Sequence, residues 1–179
     1  MAFLCIPFSL SKAQDAASPP VPGQASSEIK PPFGVYWGLS LDRLKKTVEE
    51  TQAKVIETRD VNGRKALTVE GLVSVAPGLQ RAIFYFVDDG LNEVELQYGP
   101  PNLDASGFST YFDNWRRSLE RKYGTGRLIT RSKKRDGETL LTIIGYQWSQ
   151  AGTALQLFYF DAERGADTYY VVSLHYRGA

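Results

Sequence analysis

Two apolar rhythms alternate along the chain. Leu41, Leu44 and Val48 recur at helical spacing in SLDRLKKTVEET, as do Phe108, Phe112, Trp115 and Leu119 in SGFSTYFDNWRRSLERKYG, so both stretches predict amphipathic helices. Ser40 is the expected N-cap of the first, with Asp42 complementing its positive end, and Gly124 stands in the C′ position of the second. After each helix the period drops to two. Val94, Leu96 and Tyr98 alternate with Glu93, Glu95 and Gln97, which predicts a strand with one covered and one wet face. Eight strands are expected, at about 53–60, 65–73, 81–88 and 91–98 after the first helix and about 127–134, 139–148, 154–161 and 168–177 after the second.

The two runs also resemble each other. At an offset of 74 (158 − 84), Gly63 falls on Gly137, Leu67 on Leu141, Thr68 on Thr142, Gly71 on Gly145, Gly78 on Gly152 and Phe84-Tyr85-Phe86 on Phe158-Tyr159-Phe160. Asn62-Gly63 and Asp136-Gly137 predict two equivalent type I′ turns. After the FYF triplet the second copy carries four more residues (19 − 15), expected as a longer loop, before Val172, Leu174 and Tyr176 answer Val94, Leu96 and Tyr98. Tyr98-Gly99-Pro100-Pro101-Asn102 is the joint, since two prolines do not continue a central strand. The expected organisation is repeat 1 over residues 33–98 and repeat 2 over 103–177, together one globular unit. The expected fold class is α+β, two tandem helix-plus-antiparallel-meander repeats forming one continuous antiparallel sheet with the helices on one face.

Composition and the N-terminus place this unit. Residues 1–13 are expected to be a signal peptide whose start is truncated: an apolar run, Ala2 to Leu10, leads to Ser11-Lys12-Ala13 and cleavage before Gln14, without a basic segment ahead. The run is too short for a transmembrane span. Residues 14–32 are rich in Pro, Ala and Ser and read as a flexible tether. Cys5 is the only cysteine and lies in the leader, so the mature chain is expected to carry no disulfide and no thiolate ligand. A net charge of +1 argues against a nucleic-acid binder, which needs a strong basic excess.

The entry YWGLSLDRL, the helix end LERKYG and the twin FYF hairpins resemble the tandem units of β-lactamase inhibitor protein-like domains, related in architecture to small outer-membrane assembly lipoproteins. The likeness covers about residues 33–177. It implies an exported, non-enzymatic protein-binding module of the bacterial cell envelope, acting through a sheet surface and its loops, with a periplasmic or secreted location. The chain departs from the inhibitors in lacking their disulfides and from the lipoproteins in lacking a lipid-attachment cysteine. Inhibition of a β-lactamase is therefore not carried over. A structural subunit of a larger envelope complex, and an enzyme with an unrecognised site in the sheet groove, stay open as alternatives.

No catalytic residue, cofactor or metal ligand is assigned. His175 is the only histidine, no G-x-S-x-G elbow accompanies it, and it reads as a half-exposed strand residue on the face of Ser173 and Val171. Asp88-Asp89-Gly90 reads as a turn rather than a calcium loop. Arg116, Arg117, Arg121, Lys122, Arg127, Arg131, Lys133, Lys134 and Arg135 crowd together; a solvated face is the plain reading and an anionic surface the alternative. Tyr36, Trp37, Tyr85, Trp148, Tyr159, Tyr169 and Tyr176 supply aromatic anchors; alternation sends Tyr169 away from Tyr170 and Tyr85 away from Phe84 and Phe86, so one of each set is expected outward. The candidate partner-binding set is Tyr36, Trp37, Tyr85, Trp148, Tyr159, Tyr169, His175, Arg131, Lys133, Lys134 and Arg135, for a protein partner in the envelope.

Overall fold

The computed structural model describes residues 28–72, 78–99 and 102–178. The expected leader and most of the expected tether lie outside these residues. A short turn at Pro32–Gly34 precedes helix α1 (Leu41–Glu49), which is followed by strands β1 (Lys54–Val61), β2 (Arg64–Glu70), β3 (Leu79–Val87) and β4 (Gly90–Tyr98). Helix α2 (Ala105–Tyr123) then leads to β5 (Arg127–Asp136), β6 (Thr139–Gln150), β7 (Thr153–Arg164) and β8 (Asp167–Arg177). All eight strands join one antiparallel sheet in the order β1-β2-β3-β4-β8-β7-β6-β5.

The expected fold class needs correction. Among the described residues the sheet dominates: strands hold 55% and helices 22%, with two α-helices set against eight strands. It is therefore not an α+β fold of paired helix-plus-meander units. The physical reason lies in how little α1 contributes and how far the two strand runs diverge. At nine residues α1 buries Leu41, Leu44 and Val48 and little else, too short a helix to cover a four-stranded layer.

The divergence shows in the turns. Asn62 (φ 50°) and Gly63 (φ 76°) form the expected type I′ turn, closing the Val61–Arg64 pair. Asp136 instead pairs with Thr139, so the second turn is Gly137-Glu138 with only Gly137 at positive φ, the pattern of a type II′ turn. Leu67 faces Phe84, yet Leu141 faces Ala162 and Phe158 faces Gly145. A two-residue turn at Ala151-Gly152 sets that second register, where β2 and β3 are joined by residues 71–78. The four extra residues after the second FYF form no longer loop. They lengthen β7 and β8, which turn tightly at Gly165-Ala166 between the paired Arg164 and Asp167.

Alternation divides the sheet cleanly into two faces. Leu67, Val69, Phe84, Phe86, Val94, Leu96, Leu155, Leu157, Val172 and Leu174 join Leu44, Val48, Phe108, Phe112 and Leu119 of the helices in one core. Ile29, within the stretch read as tether, is 3% exposed and belongs to this core, so the chain is anchored before α1 begins. Ser40 occupies the N-cap of α1 without a side-chain hydrogen bond, whereas Asp104 caps α2 by accepting from the Gly107 N–H at 2.8 Å. The centre of the sheet is the β4–β8 pair, where Val94 faces Tyr176, Leu96 faces Leu174 and Tyr98 faces Val172.

Candidate functional site

The face opposite the helices is the one expected to be wet, and at its centre it is not. Glu93 of β4 is 3% exposed. A buried carboxylate needs partners, and the strand register supplies three side chains from elsewhere in the chain. Arg64, just past the Asn62-Gly63 turn, donates to Glu93 Oε2 at 2.7 Å. From β8, His175 Nδ1 lies 3.0 Å from Oε1 and the Arg177 guanidinium 3.3 Å from the same oxygen. Glu95, two residues along, accepts from the Tyr85 hydroxyl at 2.8 Å and from the Gln97 amide at 2.6 Å. Arg64 also stacks over the Tyr85 ring at 4.6 Å, a cation–π contact that fixes both.

Electrostatics follow from this packing. Burial pushes the Glu93 pKa up, but hydrogen bonds from His175 and Arg64 and the charge of Arg177 outweigh it and bring it down from 4.5 to about 2. Glu93 is thus an ionised acceptor, and the proton on its bond to His175 sits on Nδ1. Nε2 of the same ring lies 3.2 Å from Ser173 Oγ and 3.9 Å from Glu95 Oε1. Burial, then the charge of Glu95 and the hydrogen bond to it, push the Tyr85 hydroxyl above its ordinary range, so it remains a donor.

Beside this network the same face turns apolar. Phe158 sets its ring edge-on to His175 at 5.3 Å. It lies so close over Gly145 that a Cβ there would stand 2.6 Å from the ring, which is why that strand position carries no side chain. Ile143 and Val171 flank Phe160 in register, and Phe160 meets the exposed Tyr169 edge-on at 6.2 Å. Polar side chains continue outward on the other side, Gln156 donating to Gln147 at 2.8 Å.

The expected partner-binding residues do not form one patch. Tyr85 and His175 meet in the polar network; of the alternating set, Tyr85 is the one on the face away from the helices, where it is 9% exposed. Trp148 and Tyr159 point to the helix side and are buried in the core. Trp148 donates to the Gly124 carbonyl at 2.8 Å, fastening the end of α2; neither residue is free to meet a partner. Tyr36 is exposed ahead of α1, within 3.3 Å of Arg43, and Trp37 packs partly buried against Gly178. Tyr169 is 54% exposed. Arg131, Lys133, Lys134 and Arg135 lie on β5, an edge of the sheet three strands from β8. Charged side chains on an edge strand oppose pairing with other chains, which accounts for the run without a ligand. Burial, then Glu163, push the carboxyl of buried Asp161 above its ordinary range, with Lys133 drawing it partly back down.

Among the described residues, no helix is long and apolar enough to cross a membrane. Compared with protein-family models, curated proteins and solved structures, the chain finds no match in any of the three. The likeness to inhibitor protein-like domains thus rests on the residues that suggested it.

Sequence reasoning missed Glu93, Glu95, Arg64 and Arg177. Only the equivalence of β4 and β8, read together with pairing between them, would have put His175 beside Glu93. The depressed Glu93 pKa has a consequence for stability. A folded value near 2 against 4.5 gives stability that is present above the unfolded pKa and lost as pH falls through about 4.5 toward 2. It amounts to about 3 kcal/mol. Glu93→Gln is expected to lower the unfolding free energy by roughly 3 kcal/mol near neutral pH in urea titrations, with the gap to wild type closing below about pH 3. A gap of the same size at both pH values would contradict this assignment.

Proposed function

We propose that the chain is an exported protein-binding module of the bacterial cell envelope, which docks its partner on the sheet face opposite the helices. Export is supported by the Ala2–Leu10 run and Ser11-Lys12-Ala13, and binding by the kind of face the resemblance implies. The observation that carries the docking face is the contrast within it. A polar network of interior quality around Glu93 adjoins an aromatic strip, Phe158, Phe160 and Tyr169. Side chains held by one another before a partner arrives lose little freedom on binding. Tyrosine beside such a scaffold is a favoured anchor. The basic edge at β5 is left as solvated charge, and a structural place in a larger envelope complex is the same reading with a permanent partner.

One observation favours a second reading, an acyl-transfer enzyme. Ser173 Oγ, His175 and Glu93 stand in the order of a nucleophile, base and orienting acid, at 3.2 and 3.0 Å. Ser173, however, pairs with Gln97 on one side and Phe158 on the other, so the backbone around it serves the sheet rather than an oxyanion. Labelling of Ser173 by a fluorophosphonate would establish the enzyme; the binding reading expects none.

The docking reading is tested by recovering partners of the mature chain from its own envelope. Tyr169→Ala is expected to weaken the recovered complex about thirty-fold, roughly 2 kcal/mol, while Lys134→Glu leaves it unchanged. Recovery of no partner, or of one indifferent to Tyr169 and lost with Lys134→Glu, would contradict it.

A further inference from the structure

The sequence Pro32-Phe33-Gly34-Val35 closes a turn in which Phe33 (φ 62°) and Gly34 (φ 71°) both have positive φ and Val35 N–H donates to the Pro32 carbonyl at 3.4 Å. This is a type I′ turn, whose first central position favours Asn, Asp or Gly. A phenylalanine there holds a conformation that bulky side chains avoid. Such strain persists only where the surroundings over-determine it, and it marks places worth a functional question.

The Phe33 ring forms one wall of a groove. With Val35, Leu44, Val48, Leu72 and Phe84 it lines an apolar space of about 280 Å³ between the turn, α1 and β3. The Phe33 and Phe84 rings stand 6.5 Å apart, tilted rather than stacked, and the described residues leave the space between helix and sheet unfilled. Two hydroxyls reach the wall, and both are engaged by the helix. Thr47 donates to the Arg43 carbonyl at 3.0 Å and Thr51 to the Val48 carbonyl at 2.7 Å. A charged ligand would give up water here and find no charged partner, only the acceptor lone pairs of these two hydroxyls. An apolar cavity of about 150 Å³ is enough to hold a benzene ring, so this one has room for about two.

We propose that the groove binds an uncharged, apolar small molecule of about the bulk of two aromatic rings. The site lies on the helix side of the sheet, away from the docking face, and stands or falls independently of it. Thr47 is exposed at the rim, so a large side chain there closes the mouth without disturbing the core.

The test is a titration of the full chain with N-phenyl-1-naphthylamine, an uncharged dye that fluoresces in apolar surroundings. A saturable rise at one dye per chain is expected, weakened at least ten-fold by Thr47→Trp, at least five-fold by Phe33→Gly, and unchanged by Tyr169→Ala. Urea midpoints of the variants verify that each is folded. No saturable rise, or a rise that folded Thr47→Trp and Phe33→Gly chains retain in full, would overturn the proposal. Dye displaced as the protein is concentrated into a dimer would give the groove to a second copy and overturn it as well.

Discussion

The pairing of β4 with β8 is the contact on which the rest of the molecule depends. It joins two runs of four strands into one sheet, and it does so with different chemistry on each side. Toward the helices, Leu96 faces Leu174 and Val94 faces Tyr176, burying apolar surface. Toward the other side, Glu93 and Glu95 of β4 meet His175 and Arg177 of β8, with Ser173 Oγ 3.2 Å from the His175 ring. The two faces constrain each other. A one-residue slip would send the carboxylates into the core and the leucines to the network, so satisfying Glu93 and packing Leu96 demand the same register.

That constraint gives the uncovered face its character. An antiparallel sheet with one wet face is ordinarily a loose array of solvated side chains. Here Glu93 is held by donors from β2 and β8, and Tyr85 of β3 holds Glu95, so four adjacent strands are tied by side chains as well as by backbone. The arrangement costs desolvation that an apolar seam would avoid. Its return is geometry: His175, Phe158 and the strip toward Tyr169 are presented at fixed positions. The groove beside Phe33 is built on the opposite principle, with an apolar lining whose two hydroxyls already donate to the helix backbone, and the two surfaces suit different ligands.

Much of the scaffold was legible in the sequence because local rules govern it. The alternation of Val94, Leu96 and Tyr98 and the helical stripe from Phe108 to Leu119 placed strands and helices within a few residues of their observed bounds. What was not legible depended on pairings distant in sequence. Glu93 and His175 are 82 residues apart, and alternation alone made Glu93 a wet-face residue. The matching FYF triplets suggested equal hairpins, but Gly137-Glu138 and Ala151-Gly152 chose different turns and shifted the second register. Tyr159 and Trp148 looked like anchors by residue type, and only the face they occupy shows them to be core. The α+β expectation gave each helix a repeat of its own, while the observed molecule is dominated by its sheet.

Native-state hydrogen exchange resolved by residue tests the seam most directly. If β4 and β8 are locked from both faces, the amides of Glu93, Glu95, Ser173 and His175 open only with global unfolding and are among the slowest to exchange, behind the edge strands β1 and β5 by orders of magnitude. Exchange of these four amides as fast as those of β1 and β5 would mean that the seam opens locally, and the account of one sheet presenting a fixed docking face would be wrong.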